Sequence, residues 1–497
     1  MICDSMDQLI RTSYDEFKDI TGIYEKIDGQ FVGRTFGEFY TDIRSLSEKL
    51  LGMGLQGKNI MIYGCNSYNW MVAYLAITAY VGIVIPIDKE WKTNDINHVL
   101  SVIDIDFILY SDCLKENLEG TNGPRANLEN ETTDLINQGA TLDVKRKENQ
   151  TNNNRVCTIM FTSGTTATPK KIELTERNLV ANGHEMGKLF TVSANDRYIV
   201  SLPLSHIATI LGVFIYPVSM GANMYIPNDF KEMGEDLKLV RPTVFYGVPR
   251  IFEKIWEAIP EDKQSQIKKG IKISNLLMKI GIDKRKKIFA EFHKSLGGAV
   301  RFAYSGSANI DDELIGIFDD MGLPILQAYG MTETSAIVAC DSINHYRLGS
   351  VGKVLGNQEC KIIEQDETGV GEICVKGNNI AQCAVGDDGY LHTGDLGYLG
   401  KDGYLYIVGR KKRMIKLSNA KNVYPDELEE LLCQSDIIES AFVYEKDKRI
   451  VATVVSSASK TDIDVFISQL NETLPHYKQI SEVVIADEIR QKLYEKE

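Results

Sequence analysis

The sequence predicts an α/β protein in which a large layered α/β domain is followed by a small α+β domain. The chain has 497 residues, which exceeds the size at which a single hydrophobic core stops growing, so at least two domains are expected. Near its start, short apolar runs alternate with amphipathic stretches, and this strand–helix–strand order is typical of a layered domain with a largely parallel sheet. Beyond residue 422, two helical patterns and two apolar runs have room for a small α+β domain.

The first elements follow from the spacing of apolar residues. Thr35–Leu51 carries them at three- and four-residue steps and is followed by glycines, which predicts an amphipathic helix. Asn59–Tyr63 is a short apolar run and predicts a strand. Trp70–Tyr80 predicts the next helix, and Gly82–Ile87 predicts the strand after it. Residues 120–155 are rich in Asn, Thr and Glu with hardly any apolar run, so we expect a surface excursion there.

Composition argues against several classes of protein. The net charge of −14 disfavours nucleic acid as the main partner, because phosphate binding requires a basic face. The first residues lack a secretory signal and no run of about 18 apolar residues is present, so we expect no membrane span and a cytoplasmic protein. The nine cysteines form no CxxC pair, which indicates neither a zinc site nor a disulfide framework.

A loop rich in hydroxyl groups follows the apolar run Val156–Phe161, which predicts a buried strand. The loop surrounds one glycine and ends at Pro169 and two lysines. Its backbone N–H groups, hydroxyls and ammonium groups suit a polyphosphate, although the GxxxxGK[ST] phosphate-loop pattern is not present. An ordinary turn is the alternative that this loop alone leaves open. The candidate phosphate ligands are Thr162, Ser163, Gly164, Thr165, Thr166 and Lys170.

Two further loops follow predicted strands, at the edge where open α/β sheets bind ligands. Val300–Tyr304 leads into the first loop, and Pro324–Leu326 leads into the second. Small residues there let the backbone approach a flat ring, Tyr329 offers a stacking face, and Glu333 offers a hard oxygen ligand for Mg²⁺. The candidate nucleotide-binding residues are Ser305, Gly306, Ser307, Gln327, Ala328, Tyr329 and Gly330, and Thr332 and Glu333 follow them.

Four other features are each open to a plain structural interpretation. His206 lies beside apolar residues, where a histidine is usually a core residue. Asp395 follows a Thr-Gly pair, where a carboxylate often caps a turn. The basic run Lys411–Lys416 is by default a solvated strand edge. In Lys263–Lys294, lysines alternate with apolar residues, and a solvated helix pair is favoured over the alternative of contact with an anionic membrane.

These motifs together resemble those of the adenylate-forming (AMP-binding) superfamily. The loop Thr162–Lys171 is similar to its TSGTTGxPKG signature, Tyr329–Glu333 matches YGxTE, and Thr393–Asp395 matches TGD. Gly409–Arg410 and Leu474–Lys478 match the GR and LPxYK motifs. Because the motifs occur in the family's order across nearly the whole chain, they are far more specific together than any one of them alone.

The resemblance implies a role for each candidate residue. The hydroxyl-rich loop and Lys170 would hold the β- and γ-phosphates of ATP. Glu333, with Thr332 beside it, would hold Mg²⁺ on those phosphates. Asp395 would receive the two ribose hydroxyls, a bidentate role that suits a carboxylate, with Arg410 as its neighbour.

The remaining roles concern the acid and the small domain. His206 would line the site of the substrate carboxylate, because acyl-CoA synthetases carry a Pro-Leu-x-His segment there. Lys412 would be the hinge between an N-terminal domain of residues 1–410 and a mobile C-terminal domain of residues 411–497. Lys492 would contact the reacting carboxylate and the α-phosphate, in a loop about four residues shorter than the family's, which amounts to up to ~13 Å of reach. The catalytic candidates are therefore Lys170, Thr332, Glu333 and Lys492.

The resemblance implies an AMP-forming acid–thiol ligase. It would activate a carboxylic acid to an acyl-adenylate and transfer the acyl group to a thiol, so ATP, Mg²⁺ and coenzyme A are expected. Pro242–Ile255 resembles the strand–turn–helix that flanks the acyl tunnel of long-chain acyl-CoA synthetases, which implies a fatty acid. Two alternatives stay open: an acyl-AMP ligase that loads an acyl carrier protein, and a non-catalytic nucleotide- or acyl-binding protein, which the short loop at Lys492 suggests.

Overall fold

The structure is a computed structural model, and it describes residues 3–140, 153–162, 169–228, 230–416, 422–446, 449–487 and 489. The described residues form two compact units. Of the described residues, the first unit comprises 3–140, 153–162, 169–228, 230–359 and 377–385, and the second comprises 360–376, 386–416, 422–446, 449–487 and 489. The second unit thus begins well before residue 410. The domain boundary at residues 410/411 concerns the part of the chain that rotates, and it stays a prediction.

The helices of the described residues are, in chain order, α1 (Met6–Phe17), α2 (Phe36–Gly52), α3 (Tyr68–Ala76), α4 (Thr93–Val102), α5 (Glu131–Gly139), α6 (Glu176–Leu189), α7 (Ile207–Thr209), α8 (Tyr216–Ser219), α9 (Met233–Val240), α10 (Pro249–Glu257), α11 (Glu261–Lys279), α12 (Arg285–Ile288), α13 (Ala290–Ser295), α14 (Asp312–Asp320), α15 (Pro425–Cys433) and α16 (Lys460–Thr473). None of these described helices is long and apolar enough to cross a membrane.

The strands of the described residues are β1 (Thr21–Ile27), β2 (Gln30–Thr35), β3 (Asn59–Tyr63), β4 (Ile83–Ile87), β5 (Phe107–Tyr110), β6 (Arg125–Asn127), β7 (Val156–Thr162), β8 (Lys170–Thr175), β9 (Arg197–Ile199), β10 (Asn223–Ile226), β11 (Val244–Gly247), β12 (Phe302–Ser305), β13 (Ile325–Tyr329), β14 (Ala339–Cys340), β15 (Lys353–Val354), β16 (Gln358–Ile363), β17 (Gly371–Gly377), β18 (Leu391–Leu399), β19 (Leu405–Arg410), β20 (Ile415–Lys416), β21 (Asn422–Val423), β22 (Ser440–Lys446), β23 (Arg449–Val455) and β24 (Glu482–Ile485).

The sheets of the first unit are mostly parallel, as the strand–helix–strand order predicts. The first has the order β6-β5-β3-β4-β7-β8, with every neighbouring pair parallel except β7 and β8. The second has the order β11-β12-β13-β14-β15, in which the first three strands are parallel. A third sheet, β2-β1-β10-β9, completes the set within the described residues. The predicted mixed α/β class is confirmed.

The second unit is built from antiparallel and mixed sheets. Strands β16-β17-β18-β19 form one sheet, and β20 pairs with β21. In the sheet β22-β23-β24, the first pair is antiparallel and the second is parallel, and α15 and α16 bury Leu428 and Ile463 in the same core. The α+β character expected for the C-terminal residues is therefore present.

Burial of apolar faces explains why the first helices form where the spacing predicts them. Thr35 caps α2, since its hydroxyl accepts from the backbone N–H of Glu38 and the Glu38 carboxylate accepts from the backbone of Thr35. Phe36, Phe39 and other apolar residues of α2 are buried. Every residue of helix α3 except the half-buried Asn69 is buried, with Trp70 fully inside, and the helix passes into a short π-helical turn before β4.

Two expectations about local structure were wrong. Of the expected surface excursion at residues 120–155, residues 141–152 lie outside the described residues. Residues 120–140 are not only a surface segment, because β6 joins β5 in parallel and α5 packs against α2. The close packing is visible at Gly139, where a Cβ atom would lie 1.8 Å from the carbonyl oxygen of Ser45. Residues 327–329 lie in β13 rather than in a loop after it, because Ala328 and Tyr329 pair with β14. Both errors come from pairing partners that are distant in the sequence.

Candidate active site

The described part of the phosphate loop brings Thr162 and Lys170 together. Thr162 ends β7 and Lys170 begins β8, and the two residues are direct antiparallel partners. The predicted ligands Ser163, Gly164, Thr165 and Thr166 lie outside the described residues. The side chain of Lys170 is largely exposed, and its Nζ atom lies 3.5 Å from Oε1 of Glu333. The cation predicted to bind phosphate therefore faces the carboxylate predicted to bind the metal.

The turn that carries Glu333 is fixed by two buried asparagines. The side-chain amide of Asn182 donates to the carbonyl oxygens of Thr334 and Ser335. Nδ2 of Asn379 donates to the carbonyl of Thr334 at 2.8 Å. The backbone N–H of Ala381 donates to the carbonyl of Glu333 at 2.8 Å. The carboxylate of Glu333 is therefore held at a defined place at the end of β13.

The same turn contains unusual backbone conformations. Ser335 and Ala336 have φ values of 48° and 85°, a region that residues other than glycine seldom adopt. Such strain costs on the order of 1–3 kcal/mol for each residue and is concentrated at functional sites. Gly330 shows why a glycine is required beside the turn, because a Cβ atom would lie 1.9 Å from the carbonyl oxygen of Ala336. The YGxTE segment is thus compressed around Glu333.

The candidate nucleotide-binding residues end the parallel strands β12 and β13, which are neighbours. Ser305 and Gly306 are buried at the end of β12, and Ser307 is exposed with a φ of 72°. Within the described residues, the buried hydroxyl of Ser305 has no hydrogen-bond partner. A buried hydroxyl without a partner is costly, so a ligand group at this place would be stabilised. Ala328 and Tyr329 are half-buried in β13 beside it.

The side chain of Gln327 serves the protein itself. Its Nε2 atom donates to the carbonyl of Ser350 at 3.0 Å, and its backbone N–H donates to Oδ2 of Asp341 at 3.0 Å. Burial disfavours the charged form of Asp341 and raises its pKa to about 7. Binding of a nucleotide by Gln327 stays a prediction. The side-chain amide nitrogen of Gln327 already donates a hydrogen bond to Ser350.

His206 is paired with Asp88, a residue that the sequence did not single out. Nε2 of His206 donates to Oδ2 of Asp88 over 2.9 Å, and the imidazole ring is exposed. The hydroxyl of Ser205 lies 3.4 Å from the same oxygen. Burial alone would raise the pKa of Asp88, but hydrogen bonds from His206, from the backbone of Glu90 and from Ser205 outweigh it and lower the pKa. His206 is therefore an oriented surface side chain and not a core residue.

Strand register places the His206 pair beside the phosphate loop. Val84 of β4 pairs with Thr158 of β7 in parallel. Asp88 and Thr162 lie four residues beyond these partners, so both are at the carboxyl edge of the same sheet. Lys170 lies opposite Thr162 on the next strand. One sheet edge thus carries the carboxylate partner of His206 and the lysine that meets Glu333.

In the second unit, Asp395 and Arg410 form the predicted pair. They are direct partners on β18 and β19, and Nε of Arg410 lies 2.8 Å from Oδ1 of Asp395. Asp395 is buried, and its backbone N–H donates to the hydroxyl of Thr393. Arg410 is exposed. A buried carboxylate held beside an exposed guanidinium is suited to accept hydroxyl groups from a ligand.

The predicted hinge lies between two anchored cations of the second unit. Lys411 binds Glu364 and Glu372, and hydrogen bonds to those two carboxylates raise its pKa. Arg413 binds Asp426 and Glu429 at the start of the C-terminal α+β segment. Lys412 is exposed between them. Lys492, the predicted catalytic lysine of the C-terminal loop, lies outside the described residues.

The donor set fits Mg²⁺ held on a nucleotide. Among the residues that the structure describes, no group of three or more His, Cys, Asp and Glu side chains could hold a metal ion. Mg²⁺ commonly binds one or two carboxylates together with substrate phosphates and water, so an all-protein cage is not required. Glu333, adjacent to the lysine of the phosphate loop, meets this requirement.

Comparison with known proteins decides the family. A family model described as AMP-binding enzyme matches residues 16–383 of the chain. The chain belongs to the AMP-binding enzyme family. The resemblance drawn from the motifs is thus confirmed.

Relatives of this AMP-binding enzyme include several fatty-acid ligases. The long-chain-fatty-acid–CoA ligase FadD15 of Mycobacterium bovis is 28% identical over 490 residues, covering 87% of this chain and 79% of the relative. The long-chain-fatty-acid–CoA ligase ACSBG2 of Rattus norvegicus is 26% identical over 519 residues, covering 92% and 78%. The long chain acyl-CoA synthetase 1 of Arabidopsis thaliana is 26% identical over 534 residues, covering 93% and 80%.

Solved structures share the fold of this AMP-binding enzyme. The o-succinylbenzoate CoA synthetase MenE of Bacillus subtilis, in complex with the acyl-adenylate OSB-AMP, has a TM-score of 0.76 at 21% identity and covers 98% of this chain and 96% of its own. The anthranilate CoA ligase AuaEII, in complex with anthranoyl-AMP, has a TM-score of 0.78 at 18% identity and covers 98% and 94%. At these identities the likeness shows the fold alone.

Three residues of the site were missed in the sequence of this AMP-binding enzyme. Asp88 could have been suspected, because it directly follows a predicted strand at the ligand-binding edge. Asn182 and Asn379 carry no such signal, since each reaches the Glu333 turn from a distant part of the chain. Their roles depend on tertiary contacts that spacing and composition do not encode.

Proposed function

We propose that this chain is an AMP-forming acid–thiol ligase that activates a fatty acid with MgATP and transfers the acyl group to coenzyme A. The observation that carries the proposal is the meeting of Lys170 and Glu333 at 3.5 Å, on a sheet edge that also carries the Asp88–His206 pair. A cation for phosphate, a carboxylate for Mg²⁺ and a polar group for the acid are the parts that this chemistry requires.

In the first half-reaction, a carboxylate oxygen of the acid would attack the α-phosphorus of ATP, and pyrophosphate would leave. Thr162 and Lys170 would bind the β- and γ-phosphates and compensate the charge that leaves with them. Mg²⁺ bound to Glu333 and to phosphate oxygens would supply further charge compensation. His206, held by Asp88, would position the carboxylate. The protein acts mainly by positioning and by charge compensation.

In the second half-reaction, the thiol of coenzyme A would lose its proton and attack the carbonyl carbon of the acyl-adenylate, and AMP would leave. Asp395 would accept the ribose hydroxyls beside Arg410 in both steps. Rotation about Lys412 of residues 411–497 against residues 1–410 would change the groups that face the reaction. Lys492 would serve the first half-reaction, as the resemblance implies.

The acid is inferred from the relatives. The three relatives described above are named long-chain-fatty-acid–CoA ligases and a long chain acyl-CoA synthetase, which supports an apolar, long-chain carboxylate. One solved neighbour, MenE, is described in complex with ATP and magnesium ion, which supports the same co-substrate and metal here. A cytoplasmic location and a carrier protein as acyl acceptor remain proposals.

Pyrophosphate release with a panel of acids tests the proposal. The panel contains saturated fatty acids of increasing chain length, an aromatic acid and an amino acid, each with MgATP and with or without coenzyme A. We expect release with the longer fatty acids and acyl-CoA formation when coenzyme A is present. If none of the acids supports pyrophosphate release, the proposed enzymatic activity is refuted and a nucleotide- or acyl-binding protein is favoured.

The acyl acceptor is tested separately. After acid activation is established, coenzyme A and a phosphopantetheinylated acyl carrier protein are offered at equal concentration. Preferential formation of acyl-CoA supports the synthetase. Loading of the carrier protein without acyl-CoA formation would identify an acyl-AMP ligase instead.

A further inference from the structure

Helix α11 presents a stripe of large aliphatic side chains to solvent. Ile273, Leu276 and Ile280 follow one another at three- and four-residue steps, so they share one face of the helix. Their exposed fractions are 61%, 66% and 67%. The other face meets the core, since Ser274 is buried and Ile271 packs against the apolar cluster of the first unit. Single exposed apolar residues are ordinary, but a contiguous stripe of this kind marks an interaction surface.

The stripe continues past the end of α11 into the turn and into α12. Ile282 and Ile288 are each about two-fifths exposed, at 40% and 39%. We call five residues together the apolar stripe: Ile273, Leu276, Ile280, Ile282 and Ile288. The apolar stripe thus includes residues of α11, of α12 and of the turn that connects them.

The surroundings of the apolar stripe are strongly basic. Residues 263–294 contain ten Lys and Arg and two Asp and Glu, a net charge of +8 in a chain whose total is −14. In the part of the chain that the structure describes, Lys269, Lys272, Lys279 and Lys287 form no ion pair. Lys269 also lies four residues before Ile273, on the same face of α11. Unpaired ammonium groups thus flank exposed aliphatic side chains.

We propose that the apolar stripe and these four lysines bind an anionic lipid bilayer. Aliphatic side chains on one face of an interfacial helix enter the boundary between headgroups and acyl chains, while flanking lysines bind the anionic headgroups. Positive charge alone would also fit a nucleic acid, but base recognition uses aromatic and guanidinium groups, and the stripe is aliphatic. The sequence alone favoured a solvated helix pair, because spacing does not reveal which apolar face the rest of the protein leaves uncovered.

This inference rests on the proposed function and adds a partner to it. Long-chain acids dissolve in bilayers far better than in water, because burial of each CH₂ favours the bilayer by a factor of about four. An enzyme seated on the bilayer would therefore meet its acid where the acid is concentrated. A chain with an overall charge of −14 would be repelled by an anionic surface unless one basic face turned toward it.

Vesicle flotation tests the surface without any assay of activity. The full chain is mixed with vesicles of phosphatidylcholine alone or of phosphatidylcholine with phosphatidylglycerol, at low and high salt. We expect binding to the anionic vesicles at low salt and its loss at high salt. Equal binding to both vesicle types, or none to either, would overturn the proposal.

Variants separate the apolar from the charged contribution. The double variant Leu276→Ser, Ile280→Ser should bind anionic vesicles roughly tenfold more weakly, because its aliphatic contact is lost. Changing Lys269, Lys272, Lys279 and Lys287 to Gln should weaken binding roughly fivefold or more for each lysine that contacts the surface. Val465→Ser, at a side chain that is 52% exposed in the second unit, is the matched control and should bind as the wild type does. The proposal would be contradicted if the double variant and the lysine variant both bound anionic vesicles as the wild type does.

Two further measurements distinguish this inference from the proposed function and from another occupant. If the protein binds vesicles but no acid supports pyrophosphate release, the lipid-binding surface is supported and the proposed function is refuted. If an acid supports pyrophosphate release but the protein does not bind vesicles, the proposed function is supported and the lipid-binding surface is refuted. The double variant should keep wild-type pyrophosphate release with the shortest fatty acid that the wild type accepts, supplied in free solution. Light scattering after gel filtration reveals a second copy of this chain on the stripe: a wild-type dimer that the double variant converts to a monomer would overturn the lipid assignment.

Discussion

At the scale of single residues, the ion pair between Lys170 and Glu333 shows how the site is arranged before ligands bind. The two side chains lie 3.5 Å apart and neutralise each other at the edge of a negatively charged protein. Phosphate groups and Mg²⁺ would give each of them a partner of opposite charge, so the pair can separate without leaving an uncompensated charge. A partly exposed pair of this kind contributes little to stability, at most about 1 kcal/mol.

The metal role of Glu333 is therefore testable by a substitution that keeps its shape. Glu333→Gln removes one hard anionic ligand of Mg²⁺ and should lower pyrophosphate release roughly 100-fold or more, while the melting temperature stays close to that of the wild type. Glu257→Gln, at an exposed carboxylate on α10, is the control and should be fully active. Near-normal activity of Glu333→Gln across a range of Mg²⁺ concentrations would refute the role.

The bond between His206 and Asp88 predicts a positioning role for the carboxylate. Asp88→Asn leaves an acceptor oxygen but removes the charge, so the imidazole is held less firmly, and kcat/KM for the acid should fall about tenfold. The KM for ATP should stay unchanged. If Asp88 acts through His206, the double variant Asp88→Asn, His206→Ala should be no worse than His206→Ala alone. Fully additive losses would mean that Asp88 acts independently.

Asp341 predicts a dependence of stability on pH. Burial raises its pKa from 3.8 to about 7 in the folded chain, so the folded state holds a proton that the unfolded state has lost in this pH range. The resulting stability is complete below pH 3.8 and is lost as the pH rises through about 7.

Asp341→Asn should remove this dependence, because the amide cannot ionise. At pH 8 we expect the variant to gain stability relative to the wild type, by an amount on the order of 1–4 kcal/mol, and to gain nothing near pH 4. Urea unfolding at several pH values measures the difference. Asp387→Asn, at an exposed carboxylate, is the control, and its free energy of unfolding should equal that of the wild type at every pH. If the free energy of unfolding of Asp341→Asn changed with pH as that of the wild type does, the raised pKa of Asp341 would be contradicted.

At the scale of helices and strands, the sequence predicted elements whose signals are local. Helix α2 differs from the predicted Thr35–Leu51 by one residue at each end. The errors occur where a distant partner decides the outcome. β13 extends to Tyr329 because β14 pairs with it, and residues 125–139 acquire order from β5 and α2. The active-site motifs were found because their residues are contiguous, whereas Asp88, Asn182 and Asn379 act across the fold.

The turn that carries Glu333 yields a prediction at this scale. Asn379 donates to the buried carbonyls of Thr334 and Ile337 at 2.8 and 3.1 Å. Asn379→Ala leaves both carbonyls without this donor, which should cost about 1–3 kcal/mol of stability and also loosen the carboxylate of Glu333. Pyrophosphate release should fall roughly tenfold, with the loss partly recovered at high Mg²⁺ concentration.

A control separates loosening of the turn from general destabilisation. Ile315→Val removes a buried methyl group in the same unit and should cost about 1 kcal/mol without affecting the turn. It should keep wild-type pyrophosphate release at a temperature where both variants are folded. Equal activity of Asn379→Ala and Ile315→Val would show that Asn379 stabilises the fold and not the site.

At the scale of the whole molecule, the anchors on either side of Lys412 define what a rotation would have to preserve. Lys411 forms ion pairs with Glu364, directly after β16, and with Glu372 in β17. Arg413 forms ion pairs with Asp426 and Glu429 in α15. Each anchor joins the hinge to a different part of the second unit. A backbone rotation at Lys412 would leave both anchors intact. The hydrogen bonds from Tyr424 to Asp366 and from the backbone N–H of Arg410 to Asp426 would have to break.

The hinge proposal therefore predicts that the two half-reactions can be separated by one residue. Proline at position 412 fixes its own φ near −65° and restricts the preceding residue, so Lys412→Pro cannot visit two backbone states. One half-reaction should survive within several-fold of the wild type, and the other should fall at least tenfold. Lys412→Ala removes the same side chain but keeps the rotation, so it should retain both. Pyrophosphate release in a single turnover measures the first step, and acyl-CoA formation from added acyl-adenylate measures the second. Equal losses in both steps for Lys412→Pro would place the rotation elsewhere in the chain.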